Sequence, residues 1–114
     1  MLNIIKLYHW KTRSYAQHKA TDELYAKLNE NIDRFVEVLL GKDDSRVSLV
    51  EKEMKLIEAQ DTKDIKNKVY EYRDFLIGLN RIYGKEKDAD LLAIRDDILE
   101  SLNQFLYLLS FNKV

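Results

Sequence analysis

The chain contains no proline and only three glycines in 114 residues, which narrows the folds open to it. Folds built from strands and tight turns use these residues often, because they supply the turn conformations. Apolar residues make up 46% of the chain and charged residues 34%, a balance that suits amphipathic helices and is too apolar for a disordered chain. The length is that of one domain. We therefore expect residues 1–114 to form a single all-α domain.

Composition and charge also exclude several classes of function. The chain has no cysteine, so disulfides, cysteine-ligated zinc, iron–sulfur clusters and thiol nucleophiles are excluded. A formal net charge of -1, with both signs mixed along the chain, predicts neither nucleic-acid binding nor binding to an anionic membrane. Apolar runs are too short for a membrane span or a secretory signal, so we expect a cytoplasmic protein. No catalytic triad or phosphate-binding loop is recognisable.

Hydrophobic periodicity predicts two helices in the first part of the chain. A short first helix spans residues 2–12, with His9 on its apolar face. Ser14 followed by Gln17 has the capping-box pattern, so we expect a break there and a second helix that ends at Gly41. The residues expected to be buried on the second helix are Leu24, Leu28, Ile32, Phe35 and Leu39.

A third and a fourth helix are predicted in the second half of the chain. The third begins at a cap formed by Asp61 or Thr62 and ends at Gly84. Gly78 lies beside its apolar seam, where the missing side chain would let a neighbouring helix approach. Asp88 is expected to cap the fourth helix. The two seams are formed by Ile65, Val69, Tyr72, Leu76, Leu79 and Tyr83, and by Leu91, Ile94, Ile98, Leu102, Phe105 and Leu109.

The order of the connections predicts a topology. Short links follow the first and third helices, so each link joins an antiparallel pair. Between the pairs, residues 47–59 fit a short helix, although Val47, Leu49 and Glu51 also fit the start of an extended stretch. Hairpin, long crossover and hairpin is the order of a ferritin-like four-helix bundle, which is the fold we predict. The first helix is too short to match the others, and a second subunit could cover the gap.

The candidate functional residues lie between His9 and Glu37. On a helical wheel with His18 at zero, Asp22 lies at about 40°, Asp33 at about 60° and Glu37 at about 100°, so they share one stripe. This stripe flanks the apolar one and should face a neighbour. Imidazole and carboxylate together suit iron, and also manganese or zinc. A solvated helix face is the alternative interpretation of the carboxylates, and a packed histidine that of His9.

This stripe, preceded by His9 and Trp10, resembles the ferroxidase signature of the Dps miniferritins, the DNA-protection proteins of starved cells. The segment DADLLAIRDDILESLNQFLYLLSF is similar to the closing helix of that family, with Tyr107 at an aromatic position. The segment YHWKTRSYAQHKATDELY also looks like short uncharacterised proteins of large DNA viruses.

The resemblance implies a homo-oligomer that oxidises and stores iron, with its metal site between two subunits. In that family the histidine before the tryptophan faces the second histidine and the carboxylates of a partner. The link between the two histidines is shorter here, and we carry over neither DNA binding nor a closed shell. The alternative function is a non-enzymatic, oligomerising structural bundle, in a virion or the host cytoplasm if viral. Carried over to this chain, the metal ligands are His9, His18, Asp22, Asp33 and Glu37, with Trp10 and Tyr15 nearby.

Overall fold

The computed structural model describes residues 1–42, 45–58 and 64–110. Within these ranges the chain is helical apart from short links and contains no strand, which confirms the all-α class. The helices are α1 (Leu2–Lys11), α2 (Tyr15–Lys42), α3 (Ser45–Glu58), α4 (Ile65–Gly78) and α5 (Ala89–Ser110), and a 3₁₀ turn at Leu79–Arg81 follows α4.

The break between α1 and α2 falls where the capping pattern predicts it. Ser14 Oγ accepts a hydrogen bond from the backbone N of Gln17 at 3.3 Å, which satisfies a free amide of the first turn of α2. Two side chains from the end of α1, Tyr8 and Thr12, donate hydrogen bonds to the Gln17 amide oxygen at 2.5 Å and 2.9 Å. The chain therefore reverses over three residues, and α1 packs antiparallel on α2.

Helices α2 and α5 form the most extensive helix contact in the described chain. Polar side chains join them along one edge: Lys27 with Gln104, Arg34 with Asp97, and Lys42 with Asp90. In these pairs the residue numbers rise along α2 while they fall along α5, so the two helices are antiparallel. Arg95 joins α5 to the end of α4, where it donates to the carbonyl of Leu76 and to Asn80 Oδ1. The Leu76 carbonyl also accepts from the backbone N–H of Leu79, so the guanidinium is a second donor to it at the end of α4.

The predicted seams form the core. Every seam residue expected on α2, α4 with its 3₁₀ turn, and α5 is buried except Ile32 and Ile65, which are partly buried against the same cluster. On α1, Ile5 is fully buried. Because α1 also packs on α4, these four helices form a ring in the order α1, α2, α5, α4.

Helix α3 carries the chain along this ring. It begins at Ser45, earlier than predicted, and the extended alternative for the segment from Val47 is wrong because that segment is helical. α2 ends beside the start of α5, whereas α4 runs antiparallel to α5 and begins at the other end. α3 contacts both α2 and α4 on the way, so the described part of the long crossover is a helix.

Several predicted helix ends are wrong. α2 continues through Gly41 to Lys42, and no glycine in the described ranges has a positive φ. Neither Gly41 nor Gly84 therefore closes a helix in the left-handed conformation. α4 ends at Gly78, and a Cβ added there would meet the Arg81 side chain at 3.2 Å rather than a neighbouring helix.

The caps are partly as predicted. Asp64 caps α4, because its side chain accepts a hydrogen bond from the backbone N of Lys66 at 3.0 Å. The predicted caps Asp61 and Thr62 lie outside the described residues. Asp88 precedes α5 as expected, and its carboxylate accepts a hydrogen bond from the backbone N of Gly84 at 3.1 Å.

Candidate metal centre

The two histidines meet at the junction of α1 and α2. Their ring centroids are 3.7 Å apart, and the ring planes differ by 28°. His9 Nδ1 lies 3.0 Å from the carbonyl oxygen of His18, and His18 Nδ1 lies 3.1 Å from the carbonyl oxygen of His9. Because a carbonyl oxygen only accepts, each ring carries a proton on Nδ1. The break at residues 12–14 thus brings together two side chains that an unbroken helix would separate.

This exchange of hydrogen bonds uses Nδ1 of both rings and does not involve either Nε2 atom. Neither Nε2 has a hydrogen-bond partner within the described part of the chain. Histidines that bind metals usually donate their second ring N–H to a carbonyl or carboxylate, which fixes the ring and its tautomer. The hydrogen bonds from Nδ1 to the carbonyls in this junction are of the same kind.

Thr21 is a residue of this junction that sequence reasoning missed. It is fully buried, and its Oγ1 lies 2.9 Å from His9 Nδ1. The same hydroxyl donates toward the carbonyls of Gln17 and His18, each at 2.9 Å. A signal was available in the sequence, since Thr21 lies one helical turn after His18 and so faces the same way. Thr21 orients the buried ring of His9, whereas His18 is exposed.

Tyr8 precedes His9 in the sequence and bonds to Gln17, which precedes His18. Partial burial is the main cause that raises its pKa, a hydrogen bond with Thr12 lowers it, and the charge of Asp64 raises it further. Burial raises the pKa because it disfavours the charged phenolate. The hydroxyl therefore stays protonated at neutral pH and donates to Gln17.

The three candidate carboxylates lie on the exposed face of α2. Asp22, Asp33 and Glu37 are all exposed, and none of them has an ion pair or hydrogen bond with the residues the structure describes. At 1.5 Å per residue, Asp22 and Asp33 are separated by about 16 Å along the helix. One chain therefore does not bring all five candidates to one ion, and the described ranges contain no group of three or more donors able to hold a metal.

The surface beside the histidines carries exposed aromatic side chains. Trp10 is 67% exposed and Tyr15 is 79% exposed, with Leu7 also exposed. Lys6 Nζ lies 5.9 Å from the ring centroid of Trp10 and 4.8 Å from that of Tyr25, so one ammonium group bridges α1 and α2. Exposed tryptophan and leucine side by side are typical of a surface that contacts another protein.

Charge is divided along the α1–α2 hairpin. Residues 1–21 contain four basic residues and no acidic residue. Residues 22–40 contain five acidic and two basic residues, a net charge of -3. The histidines therefore lie in the basic part, while Asp33 and Glu37 lie in the acidic part.

These features define an all-α protein with a paired-histidine junction on the outside of a helical core. Residues 9–109 match the Family of unknown function (DUF5856), and the chain belongs to that family. The matched region begins at His9 and includes all five candidate ligands. No curated protein and no solved structure matches the chain. Within the three described ranges, no helix has the length and apolar character needed to cross a membrane.

Proposed function

We propose that this chain is a Dps-like, ferritin-like protein that binds ferrous iron between two copies of itself and oxidises it. The observation that carries the proposal is the histidine pair, in which both Nδ1 protons are bound to carbonyls and both Nε2 atoms are left for a ligand. Histidines that bind metals usually hold their second ring nitrogen in a hydrogen bond of this kind.

The arrangement of helices supports the ferritin-like part of the proposal. Two antiparallel hairpins joined by one long crossover give the ring α1, α2, α5, α4. This is the connection order of ferritin-like bundles, with α3 as an additional helix inside the crossover.

The spacing of the ligands favours two copies related by a two-fold axis. His9, His18 and Asp22 form one half-site, and Asp33 and Glu37 form the other, with about 16 Å along α2 between Asp22 and Asp33. An antiparallel pair of α2 helices would place the first half-site of each chain against the second half-site of the other. The axis would pass near Leu28, and each dimer would hold two equal sites.

Charge and surface chemistry support the same pairing. In an antiparallel pair the basic part of one hairpin faces the acidic part of the other, which gives attraction across the interface. The same contact would cover Trp10 and Tyr15, which are exposed in the single chain.

The proposed chemistry treats ferrous iron as the substrate. Imidazole nitrogen and carboxylate oxygen would bind the ion and leave positions open for an oxidant, and the same donors also suit manganese or zinc. Each ferrous ion loses one electron to dioxygen or peroxide, which is reduced and takes up protons from water. The anionic carboxylates Asp33 and Glu37 favour the higher charge of the ferric product.

The direct test is anaerobic titration with ferrous iron followed by exposure to air. We expect binding at micromolar metal and a ferric absorbance after air is admitted. Asp33→Ala should abolish both, whereas Glu100→Ala, which removes an exposed carboxylate from α5, should change neither. A wild-type chain that binds no iron, or two variants that behave alike, would contradict the proposal.

A mixing experiment tests whether the site lies between subunits. His18→Ala and Asp33→Ala each damage both sites of their own dimer. A mixed dimer has one intact site and one doubly damaged site, so an equimolar mixture should regain about a quarter of the wild-type sites. A mixture that regains none, with both variants folded and dimeric, would place the site within one chain or remove it.

The exposed apolar side chains favour a second candidate function, a non-enzymatic oligomerising bundle. Leu7, Trp10 and Tyr15 would drive self-association whether or not metal is bound. Analytical ultracentrifugation with and without a chelator separates the two functions. If the wild-type chain takes up no iron and its self-association is unchanged by the chelator, the structural role is favoured.

A further inference from the structure

The exposed face of α2 is arranged symmetrically about the middle of the helix. Three pairs of residues on this face are each centred on the same point, between Lys27 and Leu28. All six residues are exposed, and on the helical wheel they lie within about 100° of one another. The pairs are Tyr15 with Leu40, His18 with Glu37, and Asp22 with Asp33. A two-fold axis through the central point would bring the members of every pair together across two copies of α2.

The centre of this face allows two α2 helices to approach closely. Ala26 and Asn29 form a fourth pair about the same point, and both are exposed. Their side chains are short, and the distance between packed helices depends on the side chains at the contact. Short residues at the axis therefore let the pairs on either side of it touch.

The ends of the face are apolar and would fix the register of the two helices. Tyr15 is 79% exposed and Leu40 is 52% exposed. In the symmetric arrangement the ring of each tyrosine covers the leucine of the other copy, which removes apolar area of both from water. These two residues lie about 38 Å apart along one helix, so both ends of the contact are sealed only when the helices are centred on each other.

Between the ends the contact is acidic. Asp22 of each copy would face Asp33 of the other, with Glu37 one turn further along. Lys19 adds one positive charge at the edge of the face, so three carboxylates meet one ammonium group in each half of the contact. Like charges that face each other oppose association. The opposite charges of the two hairpin parts favour the antiparallel orientation at a distance, but at the contact itself the aspartates repel.

We propose that divalent metal controls the assembly of this chain: metal-free copies are held apart by the facing aspartates, and a cation bound between them joins two α2 helices into the symmetric pair. The inference rests on the proposed metal centre and adds its control. A divalent cation cancels the charge that opposes the contact. By linkage, metal strengthens dimerisation by the same factor by which dimerisation strengthens metal binding.

Charge reversal in metal-free protein tests the facing pair without any metal. Asp22→Lys places an ammonium group against Asp33 of the other copy, so this variant should dimerise at least about tenfold more tightly than the wild type. Asp33→Lys in the same chain restores like charges and should remove the gain. Glu100→Lys makes the same change of charge on the exposed face of α5 and should behave as the wild type. Sedimentation in the presence of a chelator gives the four dissociation constants.

Zinc is a redox-inactive probe of the control itself. It should tighten the wild-type dimer at least about tenfold and leave Asp22→Lys unchanged, because that variant has lost a ligand and is already paired. A wild type that binds zinc with no change in its dimer dissociation constant overturns the inference and leaves the metal centre standing. A wild type that binds neither zinc nor ferrous iron overturns both. Asp22→Lys that associates no better than Glu100→Lys, or no better than the double variant, also overturns the inference.

Discussion

The two ends of the α1–α2 hairpin are held together by different kinds of interaction. At the junction end, polar side chains of α1 bond directly to α2, through Tyr8 with Gln17 and through His9 with His18 and Thr21. At the other end, apolar residues of all five helices line an open cavity. One end is held by directional bonds and the other by an incomplete core.

The difference lies in how the free backbone groups at the two ends of α1 are satisfied. At the end of α1 the last carbonyls lack partners within the helix, and the His18 imidazole supplies one to the carbonyl of His9. These hydrogen bonds use Nδ1 of both rings, and neither Nε2 has a hydrogen-bond partner among the described residues. At the open end α1 begins without a side-chain cap, and most of the side chains that line the cavity are apolar.

The largest expected effect compares two leucines of α2. Leu28 is fully buried and lies between the two ends, so Leu28→Ala should leave a closed void and cost about 3–5 kcal/mol. Leu39 is 1% exposed but lines the cavity, so Leu39→Ala enlarges a space that already exists and should cost about 2 kcal/mol. Urea unfolding of both variants measures the difference. Equal losses would show that the open end is packed as tightly as the middle of the helix.

The second comparison concerns the junction. His9→Ala removes a buried ring and two contacts, to Thr21 and to the His18 carbonyl, and should cost about 2 kcal/mol. His18 is exposed, so His18→Ala should cost about 1 kcal/mol or less. Thermal unfolding of metal-free protein provides both values. A larger loss for His18→Ala would contradict the assignment of His9 as the packed member of the pair.

Much of the fold could be predicted from local pattern. The Ser14–Gln17 cap specified the break, and the three-four spacing of apolar residues specified the buried faces of α2, α4 and α5. Both signals act within one or two helical turns. The helix ends were harder, because Gly41 lies inside α2 and α4 passes into a 3₁₀ turn after Gly78. A glycine permits a helix to end but does not require it.

The candidate site, like the fold, could be predicted only in part. The shared direction of Asp22, Asp33 and Glu37 followed from helix geometry, and the structure confirms that they lie outside the core. The stacking of His9 on His18 within one chain depends on how the chain reverses at residues 12–14, which no helical wheel describes. The role of Thr21 was missed for the same reason, because its partner His9 belongs to another helix.

Alkaline conditions should affect the junction end. The raised pKa of Tyr8 means that the folded chain keeps this proton at a pH where the unfolded chain has lost it. The stability that the Tyr8 hydroxyl contributes is fully present below its ordinary pKa of 10.0. It is lost as the pH rises through the higher pKa of the folded chain. Tyr8→Phe lacks the ionisable group, so the wild type should lose stability relative to this variant in alkaline solution. The expectation would be contradicted if the difference in unfolding free energy between the wild type and Tyr8→Phe did not change as the pH rises.

Acid should affect the open end, with the smallest effect of the four. The hydrogen bond from Lys42, at 2.9 Å, is the main cause that lowers the pKa of Asp90 in the first turn of α5. Because its pKa is lowered, the Asp90 carboxylate contributes stability that is present above its ordinary pKa of 3.8. This stability is lost as the pH falls through the lower pKa of the folded chain. Because Asp90 is exposed, the contribution is small and is screened by salt.

The measurement compares the melting temperatures of the wild type and Asp90→Asn at neutral and strongly acidic pH. The wild type should melt slightly higher at neutral pH, and the difference should disappear in acid and shrink in concentrated salt. Lys42→Met tests the cause, because the pH dependence assigned to Asp90 should then be much reduced. A difference that persists in strong acid would show that Asp90 acts through helix capping or packing rather than through its charge. The open end would then be held, like the junction, by a directional bond.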